Sequence, residues 1–445
     1  MLKQWVRYFS VWNLLALVFL VDSGCVSLKP NPIDEGLRAY EAKDYDSAKR
    51  IWRPLAERGD AEAQYKIGVL YDNGQGVDED AAEAFKWYRM AADQGHPKAL
   101  FNVGNAYRTG RAVIKDVTEA LKWYQKSADL GYAKAQYTLG LLYLTGTDVK
   151  KDEVIGMTWL RKAAEEGYPD AEYYIGMAYA SGYGNYPKDE GKAIKWFRKA
   201  AQKMHLEALY MLGIMNPAQG VKKDDPEAFK WIQTAAELGY ATAQYDMGYF
   251  YSNGKMVAKN EAEAAKWFHK AAEQGYRDAF CALGDAYQHG KGVEESPVEA
   301  EKWYRKAAEK GDVNAQFLLA DMYGSGLGID QNHEEAFKWF GKAAELNHTE
   351  AQYTLGVMYM EGRGTEKNDT LAIKWFQKAA EKGHVYAQFQ LAEAFLHGRG
   401  VPQDKKEALK WYRKAKENGP KGLLEENDIK KLREEIEKEK NQTGE

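Results

Sequence analysis

A tryptophan recurs along this 445-residue chain at a nearly constant spacing. Ten tryptophans are separated in turn by 36, 36, 37, 35, 36, 36, 36, 36 and 36 residues. They are Trp87, Trp123, Trp159, Trp196, Trp231, Trp267, Trp303, Trp339, Trp375 and Trp411. A long, regular period is typical of repeat proteins, whose units bury their apolar faces only against neighbouring units. The spacing therefore predicts a solenoid.

Each tryptophan lies in a predicted helix, here called helix B. Seven residues before it stands a residue type whose side chain accepts a hydrogen bond at a helix start. These residues are Asp80, Asp116, Asp152, Asp189, Asp224, Asn260, Ser296, Asn332, Asn368 and Asp404. In seven copies a Glu follows three residues later, where a capping-box acid would reach back to the N–H of the cap residue. For the copy around Trp123, helix B is predicted from Asp116 to Leu130.

The end of helix B is marked eight residues after the tryptophan. Gly stands there in eight copies, and Met204 and Asn347 stand there in the other two. The glycines are Gly95, Gly131, Gly167, Gly239, Gly275, Gly311, Gly383 and Gly419. A left-handed residue at this position ends a helix, and glycine adopts that conformation most easily. All ten positions are therefore predicted helix ends.

A second helix, helix A, follows each of these ends with apolar residues at a period near 3.6. One small residue recurs in its middle. The members are Gly68, Gly104, Gly140, Gly176, Gly213, Gly248, Gly284, Ala320, Gly356 and Ala392. A glycine inside a helix costs about 1 kcal/mol relative to alanine. Its recurrence predicts that another helix approaches too closely for a side chain.

The combined pattern A-x-A-Q-Y-x-L-G-x-x-Y-x-x-G-x-G-V-x-x-D-x-x-x-A-x-K-W-Y-x-K-A-A-x-x-G resembles the Sel1-like repeat, a relative of the tetratricopeptide repeat. The resemblance covers about Asp34 to Gly419. It implies an all-α fold, a right-handed α-solenoid of about eleven helix-loop-helix repeats. It also implies an adaptor for other proteins. The first unit is atypical, with Ile51 at the tryptophan position, as terminal repeats often are.

The N-terminal residues predict export. Lys3 and Arg7 precede an uncharged run from Tyr8 to Val21, too short to cross a bilayer comfortably and typical of a signal peptide. Cys25 follows Ser23-Gly24 and resembles the lipidated cysteine of bacterial lipoproteins. Because Asp22 stands where those proteins carry an aliphatic residue, three outcomes stay open: lipidation at Cys25, ordinary signal cleavage, and an uncleaved anchor.

The chain therefore divides into four predicted segments. Residues 1–25 form the signal peptide or lipoprotein signal, 26–33 a tether, 34–419 the repeat solenoid, and 420–445 a capping helix with a disordered tail. The capping helix is predicted from Glu425 to Lys438, with an apolar stripe on one face. The stripe consists of Leu424, Ile429, Leu432 and Ile436.

Composition disfavours several classes of function. The formal net charge is −4 and no basic stripe is evident, which disfavours nucleic-acid binding. Only Cys25 and Cys281 are present, so no disulfide framework is expected. The histidines His96, His205, His348 and His384 occur once per repeat, which favours packing over a metal site. No cofactor is expected, and we expect a monomer whose only membrane contact is an N-terminal lipid or anchor.

One aromatic column is a candidate partner-binding surface. It lies three residues before the small residue of helix A. Its members are Tyr65, Phe101, Tyr137, Tyr173, Tyr210, Tyr245, Phe317, Tyr353 and Phe389, interrupted by Cys281. In the related tetratricopeptide units the matching position faces the concave groove, and aromatic side chains are good interface anchors. The alternative, packing between repeats, stays open.

A second candidate site lies where the repeat is irregular, between about Gly182 and Pro226. Residues 182–187 add one residue to a loop. Proline disfavours helical geometry at Asn216, so helix A is expected to end early there. These departures predict a bend or a pocket, and the alternative is local repacking. The candidate residues are Met204, Met211, Met215, Asn216 and Pro217.

These observations predict a non-enzymatic scaffold of the bacterial cell envelope, in the periplasm or anchored to the outer membrane as a lipoprotein. It would bind a protein or peptide on the concave helix A surface. One alternative is a secreted or surface-exposed host-interaction factor. A second alternative is an enzyme acting on cell-wall peptides, for which the sequence offers no clustered acid or nucleophile.

Overall fold

The structure is a computed structural model that describes residues 31–215, 226–420 and 426–443. Within these ranges the chain forms 23 helices and no strand. The contacts divide it into two units, 1–205 and 206–445. In each unit, helix A packs against the helix B that follows it, and these pairs succeed one another along the chain. The predicted all-α solenoid of helix pairs is confirmed, while its handedness stays a prediction.

The first unit contains five helix pairs. Its helices A are Pro32–Glu41, Ala61–Asn73, Pro97–Thr109, Ala133–Thr145 and Pro169–Ser181. Its helices B are Tyr45–Glu57, Ala81–Asp93, Val117–Asp129, Glu153–Glu165 and Glu190–Gln202. The first helix begins two residues before the predicted start of the repeats at Asp34. The side chain of Asn31 accepts a hydrogen bond from the N–H of Ile33 and so caps it.

The second unit contains six helix pairs and a terminal helix. Its helices A are Leu206–Met215, Ala241–Asn253, Arg277–Gln288, Val313–Ser325, Thr349–Glu361 and Val385–His397. Its helices B are Pro226–Glu237, Glu261–Glu273, Pro297–Glu309, His333–Glu345, Asp369–Glu381 and Lys405–Asn418. The terminal helix is Glu426–Thr443, longer than predicted at its C-terminus. Its Ile429, Leu432 and Ile436 are buried as predicted, whereas Leu424 and the last two residues lie outside the described residues.

The predicted caps of helix B are confirmed at nine positions. In the copy at Val117–Asp129, for example, Asp116 Oδ1 accepts a hydrogen bond from the N–H of Glu119 at 2.9 Å. Asp224 lies outside the described residues. The other eight caps are Asp80, Asp152, Asp189, Asn260, Ser296, Asn332, Asn368 and Asp404. A short polar side chain thus satisfies an N–H that the helix itself leaves unpaired.

The predicted return bond of the capping box is wrong. The N–H of Asp80 donates instead to the carbonyl oxygen of Tyr71, at the end of the preceding helix A, at 2.9 Å. Because that N–H is already hydrogen-bonded, the carboxylate of Glu83 binds a different donor. Glu83 Oε1 accepts a hydrogen bond from the indole N–H of Trp87 at 3.1 Å. The Glu therefore fixes the tryptophan of its own helix.

The ends of helix B agree with the prediction, with one correction. The backbone is left-handed at the repeat glycines and also at Met204 (φ 62°) and Asn347 (φ 70°). Gly419 is different, with φ −95° and ψ 169°. Pro420 follows it directly, and a residue before proline is driven to extended geometry. The prediction of a left-handed end at Gly419 is therefore wrong.

The small residue of helix A lies where an aromatic or aliphatic side chain of helix B presses against its backbone. A Cβ atom added to Gly104 would lie 2.7 Å from Cδ1 of Tyr124, and one added to Gly284 would lie 2.4 Å from Cε1 of Tyr304. Such distances are well inside van der Waals contact. The predicted close approach of two helices is confirmed, and it explains why the repeat accepts the cost of a glycine inside a helix.

Candidate partner-binding surface

In the first unit the aromatic column packs between repeats. The ring centroid of Tyr65 lies 4.7 Å from that of His96 and 5.9 Å from that of Tyr88. The same arrangement places Tyr173 at 4.9 Å from His205 and at 5.8 Å from Phe197. Each column ring thus contacts the residue that begins the next helix A. Tyr65, Tyr137 and Tyr173 are half-buried, and Phe101 is buried.

The histidines in these stacks are also helix caps. His96 Nδ1 accepts a hydrogen bond from the N–H of Ala99 at 3.2 Å, while its Nε2 lies 2.8 Å from a carboxylate oxygen of Glu62. His384 does the same with Ala387 and Glu350. The sequence analysis predicted packing and missed the cap. The signal available was their position directly before helix A, where Asp60 and Asp312 stand in other copies.

In the second unit the column makes the same contacts with different neighbours. Tyr245 lies 5.2 Å from Tyr276 and 5.6 Å from Phe268, measured between ring centroids. Tyr210, Phe317, Tyr353 and Phe389 are also half-buried. Where the column is interrupted, burial raises the pKa of the Cys281 thiol to about 12. That cysteine therefore stays a neutral thiol. Packing accounts for the ring contacts, and partner contact at the remaining exposed ring surface stays a prediction.

The charges beside the column differ between the two units. In the first unit, Lys66 and Lys98 lie over the ring of Tyr65 at 5.9 and 6.0 Å, and Lys134 lies over Phe101 at 5.5 Å. In the second unit the position of Lys98 and Lys134 carries no lysine. It is occupied by Glu207, Thr242, Asp278, Asn314, Glu350 and Tyr386. A cation over a ring is a favourable arrangement. Among the residues that the structure describes, only the first unit places a cation over a ring of the column.

Three cavities lie at one equivalent position in different repeats. Each is bounded by a helix A, the helix B that follows it and the next helix A. The cavity of residues 72–111 measures about 230 Å³, that of residues 245–291 about 370 Å³, and that of residues 360–399 about 60 Å³. One helix B position lines all three cavities, and it carries Phe85, Ala265 and Ile373, respectively. The size of that side chain alone does not explain the volumes, because the cavity beside Ile373 is smaller than the one beside Phe85.

The irregular segment is only partly within the described residues. Met204 is 53% exposed in the first unit, and Met211 and Met215 are half-buried in the second. Asn216 and Pro217 lie outside the described residues, so the early end of helix A stays a prediction. The extra loop residue is accommodated by burying Tyr186, which is 8% exposed and lies 4.9 Å from Tyr179 between ring centroids. This contact favours the local-repacking alternative for residues 182–187.

A buried glutamine joins consecutive repeats, and the sequence analysis overlooked it. Gln64 Nε2 donates to the carbonyl oxygen of Ala56 at 3.1 Å, and Gln94 Nε2 donates to Gln64 Oε1 at 2.8 Å. One copy is charged instead. Glu172 is 2% exposed, and Lys203 Nζ lies 2.7 Å from its Oε1. Its Oε2 has no hydrogen-bond partner among the described residues.

Two further questions for the described part of the chain are metal binding and membrane insertion. Among its residues, no three His, Cys, Asp or Glu side chains come together as a metal ion would require. None of the helices in these ranges is long and apolar enough to cross a bilayer.

Comparison with known proteins gives a consistent result. The family model of the Sel1 repeat matches ten consecutive segments of the chain. They are residues 61–96, 97–132, 133–168, 169–203, 206–240, 241–276, 278–312, 313–348, 349–384 and 385–420. No curated protein matches the chain.

Two solved structures illustrate the similarity. One is a protective antigen present in uropathogenic Escherichia coli strains that displays an SLR fold. It is 32% identical, with a TM-score of 0.69, and the match covers 90% of this chain and 89% of that chain. The other is a Sel1 repeat protein from Oxalobacter formigenes. It is 31% identical over 62% of this chain and 99% of that chain, with a TM-score of 0.40.

Proposed function

This chain belongs to the Sel1 repeat family, whose members generally mediate protein–protein interaction without catalysis, and we propose that it is a scaffold that binds a protein or peptide partner on its helix A face. The helix A face is the surface of the helices A that carries the aromatic column. No enzymatic step is part of the proposal.

The observation that carries the proposal is the half-burial of the column. Apart from the buried Phe101, its rings are half-buried. Tyr353, for example, is held on one side by helix B of its own pair and by the residue before the next helix A. Its ring centroid lies 5.8 Å from that of Phe376 and 4.4 Å from that of His384. The same ring remains partly exposed on its other side. An aromatic anchor that is already fixed loses little side-chain freedom when a partner binds. The column thus supplies ordered apolar contact area at regular intervals.

The test is site-specific photo-crosslinking in cells that produce the protein naturally. A photoreactive phenylalanine would replace Phe317 on the helix A face or, as the control, the exposed Gln377 of a helix B. We expect a discrete crosslinked partner from position 317 and none from position 377. Crosslinks of equal yield from both positions, or from position 377 alone, would place the interaction on another surface.

We further propose that the protein acts in the bacterial cell envelope, because of its N-terminal sequence. The proposal depends on Cys25, which lies outside the described residues. A Cys25→Ser variant would move from the membrane fraction to the soluble periplasmic fraction if Cys25 is lipidated. An unchanged distribution would contradict lipidation and leave ordinary cleavage or an uncleaved anchor.

The similarity to a protective antigen of uropathogenic strains favours a second candidate function, contact with a host from the cell surface. Mild protease treatment of intact cells distinguishes the two. A surface-exposed protein is cleaved before the cells are opened, whereas a periplasmic scaffold is cleaved only afterwards.

A further inference from the structure

The largest of the three equivalent cavities lies on the helix A face of the second unit. Its volume is about 370 Å³, and it opens between Ala241–Asn253 and Arg277–Gln288. The intervening helix Glu261–Glu273 forms its base. Small side chains line the base, including Ala264 and Ala265, and Tyr245, Tyr249 and Phe268 line the walls. The cavity therefore combines small apolar and aromatic side chains with polar and charged ones, which include Ser252 and Asn253.

Two alanines keep this cavity open. The position of Ala265 carries a larger side chain in each of the nine other copies. Those side chains are Phe85, Leu121, Met157, Ile194, Phe229, Glu301, Phe337, Ile373 and Leu409. On the opposite wall, Ala282 stands where the two smaller cavities have Asn102 and Gln390. A void of this kind costs free energy because its lining loses packing contacts. Ala265 and Ala282 lie in consecutive repeats, 241–276 and 278–312, and line the same cavity, so both small side chains contribute to its size.

The walls favour a flat ring. Tyr245 is fixed by its contacts with Tyr276 and Phe268, and Tyr249 is 45% exposed at the mouth. Aromatic rings gain from offset or edge contacts with other rings, and a ring side chain brings a large apolar area into a site. The volume accommodates such a side chain, and the alanine base leaves room for its tip.

The charged residues that line the cavity favour a particular residue type beside the aromatic residue of the partner. Lys259 already pairs with Glu261 at 2.8 Å, and Asp285 already accepts a hydrogen bond from the hydroxyl of Tyr304 at 2.5 Å. Lys291 also lines the cavity, and its ammonium group makes no hydrogen bond or ion pair within 4.0 Å to any described residue. The hydrogen bond from Lys259 lowers the pKa of Glu261, and the ammonium group of the exposed Lys291 adds to this shift without forming a direct ion pair with Glu261. A partner carboxylate is the complement that would form such a direct ion pair.

We propose that this cavity binds an aromatic side chain of an extended partner segment that carries a carboxylate beside the aromatic residue. The inference rests on the proposed function and names the chemistry of the partner at one repeat. The aromatic ring enters between Tyr245 and Tyr249, and the carboxylate pairs with Lys291. The equivalent cavity beside Ile373 measures only about 60 Å³ and is too small for this anchor.

The test uses a synthetic N-acetyl peptide in which 4-fluorophenylalanine lies between two aspartates, observed by fluorine NMR. A matched peptide has alanine in place of the fluorinated residue and competes for binding. We expect the fluorine resonance to broaden and shift with the wild-type protein, and the alanine peptide not to compete. Substitution Ala265→Phe should weaken binding at least about tenfold, because the new ring occupies the alanine base that the tip of the partner's ring would contact. Lys291→Gln should weaken binding less and reduce its dependence on salt.

The control is Ile373→Phe, the same kind of substitution at the equivalent position of another repeat, which should leave binding unchanged. Because phenylalanine occurs naturally at this position as Phe85, Phe229 and Phe337, the Ala265→Phe variant is expected to fold. A cooperative thermal transition would verify it. Equal affinity of wild type and Ala265→Phe, competition by the alanine peptide, or no binding by wild type would overturn the inference. Each of these leaves the crosslinking test of the proposed function untouched.

Discussion

Two joints between repeats occupy the same position and are built in opposite ways. At the neutral joint, Gln64 is held by Gln94 at 2.8 Å, and at the charged joint, Glu172 is held by Lys203 at 2.7 Å. Gln64 also donates to a backbone carbonyl, which a carboxylate cannot do. At both joints the buried polar residue takes a partner from the end of the next helix B. Buried apolar residues occupy this position in other copies, so the repeat does not require a polar group there. They are Leu100, Leu209 and Phe280. The difference between the two joints suggests that the charged joint depends more on its partner.

The largest loss of unfolding free energy is expected when a buried apolar side chain is removed. Trp267 is 9% exposed, and Lys270 Nζ lies 4.0 Å from its ring centroid. Replacing it by alanine should cost about 3–5 kcal/mol of unfolding free energy, because a large buried side chain is lost. Hydrogen exchange should show faster opening in the adjoining repeats first, since solenoid stability is carried by neighbouring interfaces. Uniform loss of protection in every repeat would contradict this.

Breaking the charged joint should be the next largest effect. A Lys203→Met variant leaves the buried carboxylate of Glu172 without its partner, which should destabilise the local structure by about 3 kcal/mol. The matched change at the neutral joint, Gln94→Met, leaves Gln64 its bond to the backbone and should cost about 1 kcal/mol. Native-state hydrogen exchange of the two helices A measures both losses. Equal losses would show that the two joints are equivalent after all.

Converting the charged joint into the neutral one should restore stability. The double variant Glu172→Gln with Lys203→Gln recreates the Gln64 and Gln94 pair and should lie within about 1 kcal/mol of wild type, since buried ion pairs often exchange for neutral groups at little cost. The two single variants complete a double-mutant cycle. If the losses of the single variants simply add in the double variant, the two residues are not coupled.

A smaller effect is the pH dependence of stability at the joint that contains His348. His348 caps its helix through Nδ1, which accepts from the N–H of Ala351 at 3.1 Å, and its ring stacks on Phe317. Burial lowers the pKa of His348, with Glu350 opposing and Lys382 reinforcing the shift. The folded state therefore binds fewer protons than the unfolded state. The stability contributed by neutral His348 is complete above its unfolded pKa and declines as pH falls through that value toward the folded pKa.

Chemical denaturation at about pH 7.5 and about pH 5.5 measures this dependence. The control is His348→Asp, which places at this joint the residue that caps the preceding helix A, Asp312. We expect the variant to lose less stability than wild type over this interval. An identical pH dependence would assign the effect to other groups.

Features marked by a recurring residue type could be predicted from the sequence, and the choice between competing hydrogen-bond partners or backbone conformations could not. The cap at Asp116 and the glycine at 104 follow from requirements within one helix pair, which every copy repeats. The wrong predictions involve a neighbour: Tyr71 satisfies the cap N–H that Glu83 was expected to bind, and Pro420 alters Gly419. For the candidate site, the aromatic column could be identified from the sequence. The role of Ala265 could not, because it depends on Ala282, which lines the same cavity from the next helix A.

The backbone bond from Asp80 to Tyr71 has a consequence for how such chains change in length. The equivalent bond joins Asp189 to Tyr179 at the same 2.9 Å, although its loop is one residue longer. The same backbone bond thus closes the shorter and the longer loop, and the longer loop buries Tyr186 against Tyr179 while the next helix B still begins after its cap residue. An inserted loop residue is accommodated within its own repeat. This loop can therefore vary in length while the helices on either side keep their relative positions.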